Sequence, residues 1–142
     1  MLNGLASPGE WLRRVVPDII VDDAVEYERF WREQGQPISD AVDRAGTPHL
    51  RMFDALGRRV DEVQYPPEYW KALAAGYRAG AVWRAFDGKR SLLPGFVVGY
   101  ITSFFDSGIY CPYTVSLSTA VPLEKYATPD VRQRVLAAML EP

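Results

Sequence analysis

The chain is poor in the residues that usually carry chemistry. It has one cysteine, Cys111, and one histidine, His49. Neither an internal disulfide nor a metal site of ordinary His/Cys ligation can be assembled from that pair. A Gly-x-Gly-x-x-Gly loop is missing, which excludes dinucleotide binding by a glycine-rich turn at a helix start. Positive charge is not in excess: 16 basic against 18 acidic residues leave a formal charge of -2. No global field therefore draws in nucleic-acid phosphates or an anionic lipid surface. The most apolar run, Leu92 to Ile101, is broken by Pro94 and is far shorter than the ~20 residues of a spanning helix. Met1-Leu2-Asn3-Gly4 opens no basic-then-apolar leader, so a cytoplasmic location is the default expectation.

What the chain does have is apolar and aromatic mass. Of its 142 residues 48% are apolar and 13% aromatic, enough for one ordinary core, and a single domain over 1–142 is expected. Residues 1–20, punctuated by Pro8, Gly9 and Pro17, read as an irregular lead segment. From Asp22 to about Gln34, Ala24, Tyr27, Phe30 and Trp31 recur at helical spacing behind the acidic start Asp22-Asp23, and Gly35-Gln36-Pro37 should end that helix. Residues 47–65 read as a loop or short hairpin turning at Asp54–Gly57, where Gly57 supplies positive φ.

Pro66-Pro67-Glu68 opens a second helix, with Tyr69, Leu73, Tyr77 and Ala81 as its seam and Trp70 and Ala74 broadening it. Gly76 and Gly80, then Gly95 and Gly99, are spaced for close helix packing. From Gly95 to Tyr126 charge occurs only at Asp106, Glu124 and Lys125. A helix with almost no polar face should have protein on all sides, in two segments meeting near Ser107–Pro112. Thr128 and Pro129 then start a last helix with Val131, Val135, Leu136 and Met139 as its buried stripe. The fold expected is all-α, an antiparallel helical bundle.

Candidate chemistry is sparse. His49 reads as structural or solvent-exposed, Asp106 as a C-terminal cap or a solvated group, and Cys111 as a buried, packed thiol without an activating base. Tyr110, Thr114 and Ser118 lie four apart on one helical face; their hydroxyls either bond back to carbonyls one turn earlier or face a cavity.

Two blocks carry a family likeness. The first is Pro48-x-Leu50-Arg51-x-x-Asp54-x-x-Gly57-Arg58-Arg59-Val60-Asp61-x-Val63, followed by an aromatic, a helix-opening Pro and Trp70. The second is Gly108-x-x-Cys111-Pro112-x-Thr114, running to Tyr126-Ala127-Thr128-Pro129-Asp130-Val131-Arg132-Gln133-Arg134. These resemble the amino-terminal helical domain of acyl-CoA dehydrogenases, most of all the branch related to the alkylation-damage adaptive-response protein. The resemblance implies an FAD-dependent enzyme that takes a proton from the α-carbon of an acyl thioester and hydride from the β-carbon. It implies that Tyr110, Thr114 and Ser118, with Cys111 and Leu117 alongside, line part of the acyl pocket.

The family's flavin-binding and carboxy-terminal domains and its catalytic carboxylate are not matched here. They are expected from a continuation of the chain or from a complementary subunit. No catalytic residue is assigned, and the chain alone is expected to be inactive and to self-associate or need its complement. A non-catalytic helical interaction module that retains only the fold is the alternative. Nucleic acid and membrane are not expected partners.

Overall fold

The computed structural model of the protein describes residues 7–16, 18–88 and 91–142. The start of the lead segment, residues 1–6, and Pro17 lie outside the described residues. The remainder of that segment is more ordered than its punctuation suggests. Helix α1 is Pro8–Leu12, with Ser7 accepting the Glu10 amide as N-cap, and α2 (Asp18–Phe30) already begins before position 20.

Gly35-Gln36-Pro37 does not end α2. The helix widens into a π turn over Trp31–Gly35, where the Gln36 amide reaches the Trp31 carbonyl, and continues as α3 (Gln36–Ala45). Pro37 falls in the first turn of α3, where its missing amide costs least. Gly35 is needed for another reason: a Cβ there would run into the Trp31 indole.

The hairpin is real, so the chain is mostly helical and not all-α. Strands β1 (His49–Phe53) and β2 (Arg59–Gln64) pair antiparallel with Leu50 opposite Val63 and Phe53 opposite Arg59. The Asp54 side chain accepts the Leu56 and Arg58 amides at 2.8 and 2.9 Å, and Gly57 sits at φ 76°. An irregularity in register falls between Arg51 and Phe53, and Asp61 across from it takes φ 46°. Asn and Asp tolerate that left-handed conformation better than most residues.

Helix α4 (Pro67–Ala79) stops at Gly80, whose φ of 102° makes it a left-handed C-cap and not a partner of Gly76 inside the helix. A short 3-10 turn, Trp83–Ala85, leads on. Helix α5 (Leu93–Phe105) and α6 (Ser107–Tyr126) are separated by the single residue Asp106, one position before the expected break. After Thr128 the last helix is α7 (Pro129–Val131), a π turn Arg132–Leu136 and α8 (Ala137–Met139). Its expected stripe is partly met: Leu136 is buried, whereas Val135 is exposed.

Side-chain contacts fix the helix directions. Tyr27 bonds Thr102 and Trp31 stacks on Phe105, so α2 and α5 run the same way. Gly95 meets Leu117 and Gly99 meets Tyr110, so α6 runs back along α5. Tyr113 bonds Leu73 and Tyr77 bonds Ser116, which sets α4 alongside α6 in the same direction. The core between these four helices contains Tyr27, Trp31, Leu73, Val98, Ile101 and Tyr113. Trp70, read as part of the α4 seam, is instead 53% exposed.

Candidate functional site

The turn at Asp106 builds the candidate site. One carboxylate oxygen accepts the Gly108 and Ile109 amides at 2.9 and 3.1 Å, which starts α6 with two otherwise unpaired donors satisfied. The other accepts the Ser39 hydroxyl at 2.7 Å and ties the turn to α3. Asp106 ends α5, as a C-terminal cap would, but its side chain serves the next helix as the N-cap of α6, and the chain reverses within one residue. Helices α5 and α6 can then lie close because Gly95 and Gly99 carry no Cβ. One at Gly99 would strike the Tyr110 ring of α6, and one at Gly95 would crowd Leu117 of α6 at 3.3 Å as well as the Ala81 carbonyl oxygen at 2.9 Å.

Between the two helices runs an apolar groove of about 250 Å³. Tyr110, Thr114, Leu117 and Ser118 all line it, so four of the five residues singled out by the resemblance come together. Cys111 does not. It is exposed and outside the groove lining, which also corrects its reading as a buried thiol. One residue along from Tyr110, it is turned by about 100° around the helix and misses the face that its neighbour occupies.

Two of the hydroxyls on this face bond back to the helix. Thr114 donates to the Cys111 carbonyl at 2.8 Å and Ser118 to the Val115 carbonyl at 3.0 Å. Both bonds leave oxygen lone pairs on a surface that is otherwise hydrocarbon. The groove is open as well, since Phe96 and Val121 on its walls are 55% and 44% exposed. Helix α6 is therefore not enclosed on all sides. Within it only Ile109, Tyr113 and Ala120 are buried.

Phe96, Leu92 and Val121 are lining residues that the sequence did not single out. Val121 continues the Tyr110, Thr114, Ser118 face by one more helical step. Phe96 stands beside Gly95, the contact point of the two helices. Those two signals were present in the sequence, but which wall they belong to depends on the reversal at Asp106.

The other candidates have structural places. His49 begins β1, exposed and opposite Gln64. Among the described residues no three His, Cys, Asp or Glu side chains gather as a metal-ligand set. No helix among them is long and apolar enough to cross a membrane. Among the described residues the groove lining has no cationic side chain. It fits a hydrocarbon chain and does not fit the diphosphate of FAD, which needs charge or convergent donors.

Beneath the groove, buried tyrosines hold the walls. Tyr113 donates to the Leu73 carbonyl at 2.8 Å, with Ala72 at 3.1 Å, and burial pushes its phenol far above the ordinary 10.0. Thr102 donates to the Val98 carbonyl and is paired with the Tyr27 hydroxyl, each at 2.8 Å. Burial raises the Tyr27 phenol too, against the opposing effect of its hydroxyl partner.

No curated protein and no solved structure matches the chain. The family model of the adaptive response protein AidB N-terminal domain matches residues 33–141, spanning the hairpin, the α5–α6 groove and the last helix. The chain belongs to the AidB N-terminal domain family, the amino-terminal domain of an acyl-CoA dehydrogenase-like protein.

Proposed function

We propose that this chain supplies the amino-terminal helical part of an FAD-dependent, acyl-CoA dehydrogenase-like oxidoreductase, and that the α5–α6 groove forms one wall of its acyl-thioester pocket. The observation that carries the reading is the convergence of Tyr110, Thr114, Leu117 and Ser118 on one open apolar groove. Such a surface removes the acyl chain from water and offers lone pairs to orient it, contributing binding and positioning without a proton-transfer group. FAD and the base come from parts outside these residues, a continuation or a complementary chain.

Exposed Phe96, Tyr100, Val115 and Val121 on α5 and α6 are the surface such a partner would cover, as would Leu50, Met52 and Val63 on the hairpin. Alone, the chain self-associates through them. Replacing Ser118 with Trp tests the pocket directly, because it fills the groove from an exposed position.

The competing reading is a helical interaction module that keeps the fold without the chemistry. It is favoured by the back-bonding of Thr114 and Ser118, which commits both hydroxyl hydrogens to the helix itself. Acyl-thioester binding that is lost in the Ser118→Trp assembly separates the two, since a pure interaction module has no such binding to lose.

A further inference from the structure

A second and larger groove, about 730 Å³, lies between α2 and α4 and shares no lining residue with the α5–α6 groove. Its origin is in the sequence. Helix α4 presents Lys71, Ala74, Ala75 and Arg78 at helical spacing, and α2 presents Glu26, Tyr27 and Phe30. Two alanines at the middle of the facing surface leave volume that larger side chains would have filled. The Asp23–Arg84 ion pair joins the middle of α2 to the turn after α4, with Phe30 about two turns further along. The helices therefore run in opposite senses, and Phe30 faces the Trp70–Lys71 end.

Three features of this groove point to one kind of ligand. Trp70 is half exposed yet held in place, with Tyr65 and Tyr69 edge-on at 5.3 and 5.4 Å. A large ring kept open to solvent but fixed in orientation is a stacking platform, since little side-chain freedom remains to be lost on binding. The charges are also unevenly matched. Asp23 is taken by Arg84 and Glu26 by Arg29, whereas Lys71 and Arg78 have no ion-pair partner among the described residues. They stand seven residues apart on one helix, roughly 10 Å along its axis. That span is comparable with the reach from a purine ring to its 5′-phosphate.

We propose that the α2–α4 groove binds a nucleoside monophosphate. The base stacks on Trp70 beside Phe30, Lys71 donates to an acceptor on the base edge, and the sugar crosses Ala74 and Ala75. Arg78 takes the phosphate with its planar fork of donors. The volume is within the usual range of small-ligand pockets. The site is too short and too local to hold a nucleic-acid strand, in keeping with the net charge of -2.

The test is isothermal titration of the chain with AMP at low salt, with adenosine and inorganic phosphate in parallel. The expected result is saturable one-to-one AMP binding, with both fragments weaker by tenfold or more. Lys71→Gln with Arg78→Gln, and separately Trp70→Ala, should each weaken AMP by at least tenfold. All three side chains are exposed, and unchanged circular dichroism confirms that the variants fold. Ser118→Trp should leave AMP binding intact, so this site and the acyl pocket stand or fall separately. Absence of saturable AMP binding, or AMP binding unaffected by these variants, overturns the proposal. Inorganic phosphate binding as tightly as AMP shows an anion patch without base recognition and overturns it equally.

Discussion

The Tyr113 hydroxyl on α6 donates to the Leu73 carbonyl on α4 at 2.8 Å, and the ring reaches it across Gly76, where any Cβ would strike the phenol. This contact sets the spacing of the two helices beneath the groove. Gly76→Ala should destabilise the chain by about 1–3 kcal/mol through overpacking. Tyr113→Phe removes only the bond and should cost about 1 kcal/mol. Urea unfolding of both variants checks the order, and a Gly76→Ala chain as stable as the parent would contradict it.

The buried phenols also predict alkaline behaviour. Burial holds the folded pKa values of Tyr113 and Tyr27 above the ordinary 10.0. Their neutral forms favour the folded state below pH 10, and that contribution is lost as pH rises from 10 toward the folded values. Stability should fall steeply above pH 10, and less steeply in Tyr113→Phe. Thermal unfolding between pH 8 and about 11 measures the difference.

At the acid end Glu28 has a carboxyl that the fold shifts. Burial by itself would raise its carboxyl, but bonds from Ser7, Arg32 and the Gly9 amide more than offset this and hold it below 4.5. Those from Ser7 and Gly9, at 2.6 and 2.7 Å, tie α1 to α2, and Arg32 holds the same carboxylate from one turn further on. The ionised carboxylate therefore stabilises the fold above pH 4.5, and the effect disappears as pH drops through the folded value. Glu28→Gln should cost roughly 2–3 kcal/mol at pH 7 and flatten the acid limb of the stability profile. An unaltered acid limb would show that another carboxylate controls it.

Asp106→Ala should destabilise by about 1–2 kcal/mol, since it uncaps α6 and frees Ser39. Asp106→Asn, which keeps the acceptor oxygen, should recover most of the loss. Equal destabilisation by both would mean that charge, not capping, holds the turn.

Much of this architecture is legible in the sequence where a single residue has a local effect. Gly57 gives the hairpin its positive φ, Pro67 and Pro129 sit in first helical turns, and Thr128 caps the last helix. The misreadings occur where distant parts of the chain decide. Gly35–Pro37 resembles a helix stop, but the Trp31 indole needs Gly35 for room and Pro37 falls in the first turn of α3. Trp70 follows the apolar periodicity of α4 and is nonetheless exposed, its ring set edge-on against Tyr65 and Tyr69 while Tyr69 takes the position against the core. The groove was half legible. Spacing put Tyr110, Thr114 and Ser118 on one face, but Phe96 joined them only through the reversal at Asp106, and Cys111 fell outside.

Exposed apolar side chains on α5, α6 and the hairpin should make the isolated chain associate. Val121→Glu combined with Leu50→Glu should shift it toward monomer in sedimentation velocity, with thermal stability little changed because both positions are exposed. A parent chain that sediments as a monomer at high concentration would contradict this.

The measurement that tests the central claim most directly is acyl-thioester binding by Ser118→Trp in an assembly containing the flavin-binding parts. Ser118 lines the α5–α6 groove and is exposed, so the indole should fill the groove without unfolding the chain. The expected result is a folded, flavin-loaded assembly whose acyl-thioester affinity falls at least tenfold. Binding at the parental affinity in that folded assembly would contradict the assignment of the groove to the acyl pocket.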